Sequence, residues 1–192
     1  MRRAAFLDRD GVINRKAPGH GYITSWQQME ILPGVPEAIA KLNRAGFQVI
    51  VVSNQRCVAK GLITSAELES LHEQMKEHLA RSNARIDAIY YCPHELSPVC
   101  QCRKPQPGML LDAARDHDID LARSWMIGDS PIDVEAGQRA GCKTALLSED
   151  GRPQAVKPDL IGTSLREVVA QIVKQQGGDL NTLTAQVPTD SE

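Results

Sequence analysis

The chain has 192 residues, 42% of them hydrophobic and 24% charged, with a formal net charge of -2. That length and composition suit one compact soluble domain with a proper core. The slightly acidic balance offers no basic face for nucleic acid, and no stretch approaches the roughly 18 apolar residues of a membrane span.

The first apolar run, AAFL (4–7), is too short for the core of a signal peptide. A cytoplasmic location is therefore expected, where the five cysteines serve as thiols or metal ligands and not as disulfides. The run itself reads as a short buried strand and leads straight into Asp8-Arg9-Asp10-Gly11. About 20 residues then separate Asn14 from a predicted helix over 35–46, which Gly46 stops. A second strand, FQVIVV (47–52), is followed by Ser53-Asn54-Gln55. The next helix is predicted over 64–82, with Thr64 and Glu67 at the spacing of a capping box. A third strand, IDAIYY (86–91), feeds a loop, CPHELSPVCQCRK (92–104), that carries three cysteines and a histidine. After a helix over 108–118 comes a fourth strand, SWMIG (124–128), ending in Asp129-Ser130 with Asp133 close behind. A helix over 130–141, a strand over 143–147 and a helix over 164–175 complete the ordered part. One domain is expected over 1–176, with 177–192 as a frayed tail.

Strands and helices alternating at this spacing predict an α/β fold, a doubly wound parallel sheet with helices on both faces. Ligands of such sheets bind at the carboxyl ends of the strands. The residues after each strand would then meet at one edge: Asp8 and Asp10, Ser53 and Asn54, Arg103 and Lys104, Asp129 and Asp133. Carboxylates that converge repel one another, and a hard divalent cation resolves the repulsion. Mg2+ fits because it takes a few carboxylates and keeps waters. Mg2+ in turn suits a phosphoryl substrate, whose oxygens Lys104, Ser53 and Asn54 would hold as charge moves. A carboxylate can attack phosphorus to form an aspartyl-phosphate while a second carboxyl protonates the leaving oxygen. Asp8 and Asp10 suit these two roles, since residues two apart share a face of an extended chain.

FLDRDGVIN, VVSNQ, CRKP and IGDSPID, in that order, resemble the four motifs of the haloacid dehalogenase superfamily of aspartate-nucleophile phosphatases. HGYI (20–23), LPGV (32–35), IYYCPH (89–94), CRKPQPGMLL (102–111) and MIGDSPIDVEAG (126–137) resemble, more narrowly, the heptose-1,7-bisphosphate 7-phosphatase family. Zinc-containing histidinol-phosphate phosphatases are close relatives of that family and remain the alternative. The resemblance implies a small sugar bisphosphate as substrate, in the pathway to nucleotide-activated heptose of the lipopolysaccharide core. It makes Asp8 the nucleophile and Asp10 the general acid/base. It gives Mg2+ to Asp8, the backbone carbonyl of Asp10, and Asp129, with Asp133 supporting them. It gives the substrate or its phosphate to Ser53, Asn54, Arg103 and Lys104. A signalling receiver would use a similar edge, but it has no need of Asp10 or of a cysteine loop.

Cys92, His94, Cys100 and Cys102 supply four donors, the number that closes a tetrahedral Zn2+ site, and closed sites are structural. Zinc is thus expected to hold the loop and aim Arg103 and Lys104. Arg56, where small residues are usual in the family, is a candidate second cation for a bisphosphate. His20 is a candidate substrate contact, while His72, His78 and His117 are expected at the surface. The connections leave no room for a separate cap domain, so the site should be open. Nothing in the sequence demands more than a monomer.

Overall fold

The computed structural model describes residues 1–19, 21–97, 100–148 and 156–183, the last eight as backbone only. Six strands form one sheet: β1 (Arg3–Leu7), β2 (Phe47–Asn54), β3 (Ala88–Cys92), β4 (Trp125–Gly128), β5 (Lys143–Leu147) and β6 (Leu160–Gly162). All pairings are parallel and the order is β3-β2-β1-β4-β5-β6. The helices are α1 (Val35–Arg44), α2 (Ser65–Ala80), α3 (Gly108–His117), α4 (Pro131–Ala140) and α5 (Leu165–Leu183). This is the doubly wound arrangement that the strand–helix alternation predicts.

Central strands of such a sheet are buried on both faces, which is why β1 reads as a continuous apolar run. Ala5 and Leu7 point into one core with α1, α2 and α5, including Val35, Ile39, Leu68, Met75 and Val168. Ala4 and Phe6 point into the other with Met109, Leu110 and Ala136 of α3 and α4. Chain order reverses between β1 and β4, which lie side by side. Asp8 leaves β1 at that switch point, and its backbone N–H donates to the Ile127 carbonyl at 3.0 Å.

Three differences from the sequence reading have plain causes. Strand β2 runs on through Ser53 and Asn54, because polar side chains do not stop backbone pairing with Tyr91 and Cys92. Strand β6, only three residues long, is too short to show a period. Helix α5 continues to Leu183, into the stretch expected to fray. The sequence pattern stops earlier because Gly177 and Gly178 each cost about 1 kcal/mol relative to alanine in a helix. The remainder of the expected tail, 184–192, lies outside the described residues, as does His20. The capping box at Thr64 is formed as expected. No described helix is long and apolar enough to cross a membrane, and the described connections hold no separate cap domain.

Candidate active site

The strand ends bring Asp8, Asp129 and Asp133 together, each offering a carboxylate oxygen within 4.8 Å of the others. Two glycines make this approach possible. Gly11 turns with φ of +93°, and a Cβ there would overlap Asp129 Oδ2. A Cβ on Gly128 would overlap the Asp133 side chain.

Lys104 answers the clustered charge. Its side chain is buried, and Nζ lies 2.9 Å from Asp8 Oδ1 and 2.7 Å from Asp133 Oδ1. It also donates to the Val52 carbonyl at 2.7 Å. Burial opposes the charge on Lys104, but the two carboxylates outweigh it and raise its pKa above the ordinary lysine value. Asn54 grips the same residue by its backbone: Nδ2 donates to the Lys104 carbonyl and Oδ1 accepts from the Lys104 N–H, both at 3.1 Å. The Asn54 amide, expected on the substrate, thus braces the lysine. Asp133 has two jobs. Its Oδ2 accepts from the Ser130 N–H and hydroxyl, which caps α4, and its Oδ1 faces Lys104.

Burial pushes Asp8 up to about 7; Lys104 pulls it down, while Asp133 and Asp10 push it further up. Asp129 is raised as well, by burial first, against the pull of Lys16. Lys16 Nζ sits 2.6 Å from Asp129 Oδ2. Asp129 Oδ1 is buried with no hydrogen-bond partner among the described residues. Three carboxylates share two lysines, Lys104 and Lys16, and a cluster of hard oxygen donors with Asp129 Oδ1 unpartnered fits a divalent cation such as Mg2+. The Asp10 carboxylate is engaged elsewhere, so any part Asp10 plays toward that cation falls to its backbone carbonyl.

Around Asp10 the structure assembles residues that the sequence reading did not single out. Arg9 donates to it through Nε and Nη2, the latter at 3.0 and 2.9 Å. Asn14 Nδ2 donates to Oδ1 and Gln55 Nε2 to Oδ2, both at 2.9 Å. Gln55 also donates to Ser53 Oγ at 2.8 Å, which ties the Ser53 hydroxyl to the same network. Burial alone would raise Asp10, but the Arg9 charge and these hydrogen bonds hold it below the usual carboxylate range. The expectation for His72 is corrected: it is only 3% exposed and its Nε2 lies 3.3 Å from Arg9 Nη1. The signal was present, since His72 follows Leu68 by four and precedes Met75 by three, on the buried stripe of α2. His78 is exposed and His117 half-buried.

The cysteine loop leaves the sheet where Cys92 of β3 pairs with Asn54 of β2. Cys92, Cys100 and Cys102 are free thiols. Their sulfurs and His94 Nδ1 all lie within 4.8 Å of one another, with four of the six separations at 3.2 to 3.6 Å. A zinc tetrahedron with bonds of about 2.3 Å to sulfur and about 2.0 Å to nitrogen has edges near these lengths, so the four donors fit the ion. Arg103 follows at once, half-buried, with Nη1 donating to the His94 carbonyl at 3.4 Å. Arg56 reaches the loop too, its Nε 2.7 Å from Glu95 Oε2. A cleft of about 810 Å3 opens beside Asp129, with Gly11, Lys16, Pro33, Leu147 and Ser164 in its walls.

A parallel sheet in this order, with a D-x-D at the end of its first strand and a buried lysine between carboxylates, defines a haloacid dehalogenase-type phosphatase. A family model described as HAD-hydrolase-like matches residues 101–168. The D-glycero-beta-D-manno-heptose-1,7-bisphosphate 7-phosphatases of Salmonella typhi and Escherichia coli K12 are 39% and 40% identical over 184 residues. Those alignments cover 90% of this chain and 96% and 95% of the relatives. The chain belongs to the D-glycero-beta-D-manno-heptose-1,7-bisphosphate 7-phosphatase family. The crystal structure of D,D-heptose 1,7-bisphosphate phosphatase from B. bronchiseptica, complexed with magnesium and phosphate, is similar at a TM-score of 0.83 and 34% identity. It covers 90% of this chain and 99% of that one. The Burkholderia thailandensis enzyme of the same description is similar at a TM-score of 0.67 and 28% identity, over 90% of this chain and 99% of its own.

Proposed function

We propose that this protein removes the 7-phosphate of D-glycero-β-D-manno-heptose 1,7-bisphosphate by two displacements through Asp8. The observation that carries the reading is the edge where Asp8, Lys104, Asp129 and Asp133 meet beside a separately held Asp10. The substrate comes from relatives of that name, aligned over nine-tenths of this chain. All the residues named come from one chain, so the reading needs no second copy.

In the first step an Asp8 carboxylate oxygen attacks phosphorus, the bond from phosphorus to the sugar O7 breaks, and Asp10 gives that oxygen a proton. Asp10, held as the anion in the free protein by Arg9 and its hydrogen bonds, must take up that proton as the anionic substrate binds beside it. In the second, Asp10 takes a proton from water as the water attacks phosphorus, which frees Asp8 and phosphate. Lys104 places a fixed positive charge at the attacking oxygen. Asp8, the Asp10 carbonyl and Asp129 would hold Mg2+, with Asp133 behind them steadying Lys104. Mg2+ offsets the negative charge of the phosphoryl group and of the clustered carboxylates. Magnesium and phosphate together in the B. bronchiseptica structure support this assignment. Ser53 and Arg103 would meet the phosphoryl oxygens and the sugar, Asn54 acts by holding Lys104, and Arg56 would face the second phosphate. Cys92, His94, Cys100 and Cys102 would hold a structural Zn2+ in the loop that carries Arg103. Free thiols of this kind belong in a reducing compartment.

Steady-state phosphate release with Mg2+, on the β and α anomers of the bisphosphate and on histidinol phosphate, tests the substrate. The β anomer is expected to lead in kcat/KM by at least about ten-fold, the size of a difference of ~1.4 kcal/mol. Preference for histidinol phosphate would leave the chemistry intact and overturn the substrate.

A further inference from the structure

The Asp10 carboxylate is held from behind as well as from the site, and the path runs through two buried polar residues. Arg9 is fully buried, and its Nε and Nη2 go to Asp10. The other arm, Nη1, is directed at His72 Nε2, 3.3 Å away. A guanidinium nitrogen only donates, so Nε2 must present its lone pair and the ring proton must sit on Nδ1. The imidazole is neutral: burial, then the neighbouring Arg9 charge, pushes its pKa down to about 3. Its ring stands edge-on to Tyr91, with centroids 5.7 Å apart. The surrounding stripe of α2 is Leu68, Leu71, Met75 and Leu79. Packing alone would be served by another leucine, whereas a buried cationic N–H needs an acceptor.

We infer that His72 is a positioning residue for phosphoryl transfer: it fixes the Arg9 guanidinium and, through it, the direction of the Asp10 carboxylate. The inference rests on Asp10 being the general acid/base. With no acceptor at position 72, Nη1 must find another partner. Arg9 then shifts, and Asp10 leaves the line to the leaving oxygen. A general acid matters for a sugar alkoxide, which leaves poorly without a proton, and little for p-nitrophenolate, which leaves well as an anion.

The test compares His72→Phe, which keeps a ring but no acceptor, with His72→Gln, whose side-chain oxygen reaches the place of Nε2. Asp10→Asn is the control. Single-turnover rates are read for sugar release from the bisphosphate and for first-turnover nitrophenolate from p-nitrophenyl phosphate, both with Mg2+. His72→Phe is expected to slow sugar release by about ten-fold or more, a fraction of what a general acid supplies. Its KM for the bisphosphate and its nitrophenolate burst should stay within about two-fold of wild type, the scale of change a placement effect spares. His72→Gln should recover most of the loss. Equal slowing on both substrates, no slowing in His72→Phe, or failure of His72→Gln to recover would overturn the inference. If Asp10→Asn shows no dependence on the leaving group, the reading of Asp10 falls and that of His72 with it. If Asp10→Asn shows the dependence and His72→Phe does not, only the role of His72 falls. Should His72→Phe not fold, His72→Asn, whose amide is too short to reach Nη1, gives the same comparison.

Discussion

Lys104 Nζ donates to the Val52 carbonyl and lies within ion-pair distance of Asp8 and Asp133. Burial above all, helped by the Asp133 and Asp10 charges and opposed by Lys104, raises Asp8 from an ordinary 3.8 to about 7. Its effect on stability has a definite sign. Between those two values the folded metal-free protein keeps a proton that the unfolded chain has lost. Stability from this group is therefore full below the unfolded pKa and is lost as pH rises through about 7. A divalent cation at the cluster removes that penalty. The rise in Tm on adding Mg2+ to metal-free protein should thus be larger at about pH 8 than at about pH 5.5, with protons released on binding. A rise independent of pH would mean that Asp8 is already ionised without metal. At this scale the sequence was informative about residue types and silent about partners. Asp8, Lys104 and Asp129 were legible because they follow strands. Arg9 and Gln55 were not, because what marks them is burial against polar neighbours 2, 45 and 63 residues away in the chain.

The loop between β3 and α3 is tied to the sheet at two independent points. One is the cluster of Cys92, His94, Cys100 and Cys102, which packs His94 and Arg103 together. The other is the Asn54 amide, which holds the Lys104 backbone whatever the cysteines do. The two ties separate what removal of the proposed Zn2+ should change. A strong chelator is expected to raise KM for the bisphosphate by about ten-fold, in the range of losses when support behind a site is removed. The Mg2+-dependent kcat should be largely kept, because Lys104 stays clamped. Kinetics of chelated and zinc-restored protein check this. Collapse of kcat together with the circular dichroism signal would instead show that the cluster holds the fold. Helix α2 shows the limit of reading an element by residue type. Its capping box at Thr64 and the place of His72 on its apolar stripe were legible, but the buried Arg9 that partners the histidine was not.

At the scale of the whole molecule, alternation of apolar runs and amphipathic stretches was enough for the sheet, its parallel sense and the edge that carries the chemistry. Winding a chain both ways from β1 forces the ends of β1, β2 and β4 to one crevice. Residues scattered from Asp8 to Asp133 thus become neighbours with no need of a second domain. The short β6 and the far end of α5 escaped because neither has a period long enough to read. If this crevice passes phosphate through Asp8, a covalent intermediate can be trapped there. The protein is mixed with the bisphosphate and Mg2+, quenched in acid within the first turnover, reduced with borohydride and digested for peptide mass analysis. Borohydride reduces an acyl phosphate to an alcohol, so homoserine is predicted at position 8 alone, and absent from Asp8→Asn, which should release no phosphate. Homoserine at Asp10 or Asp129, or full turnover by Asp8→Asn, would contradict the account.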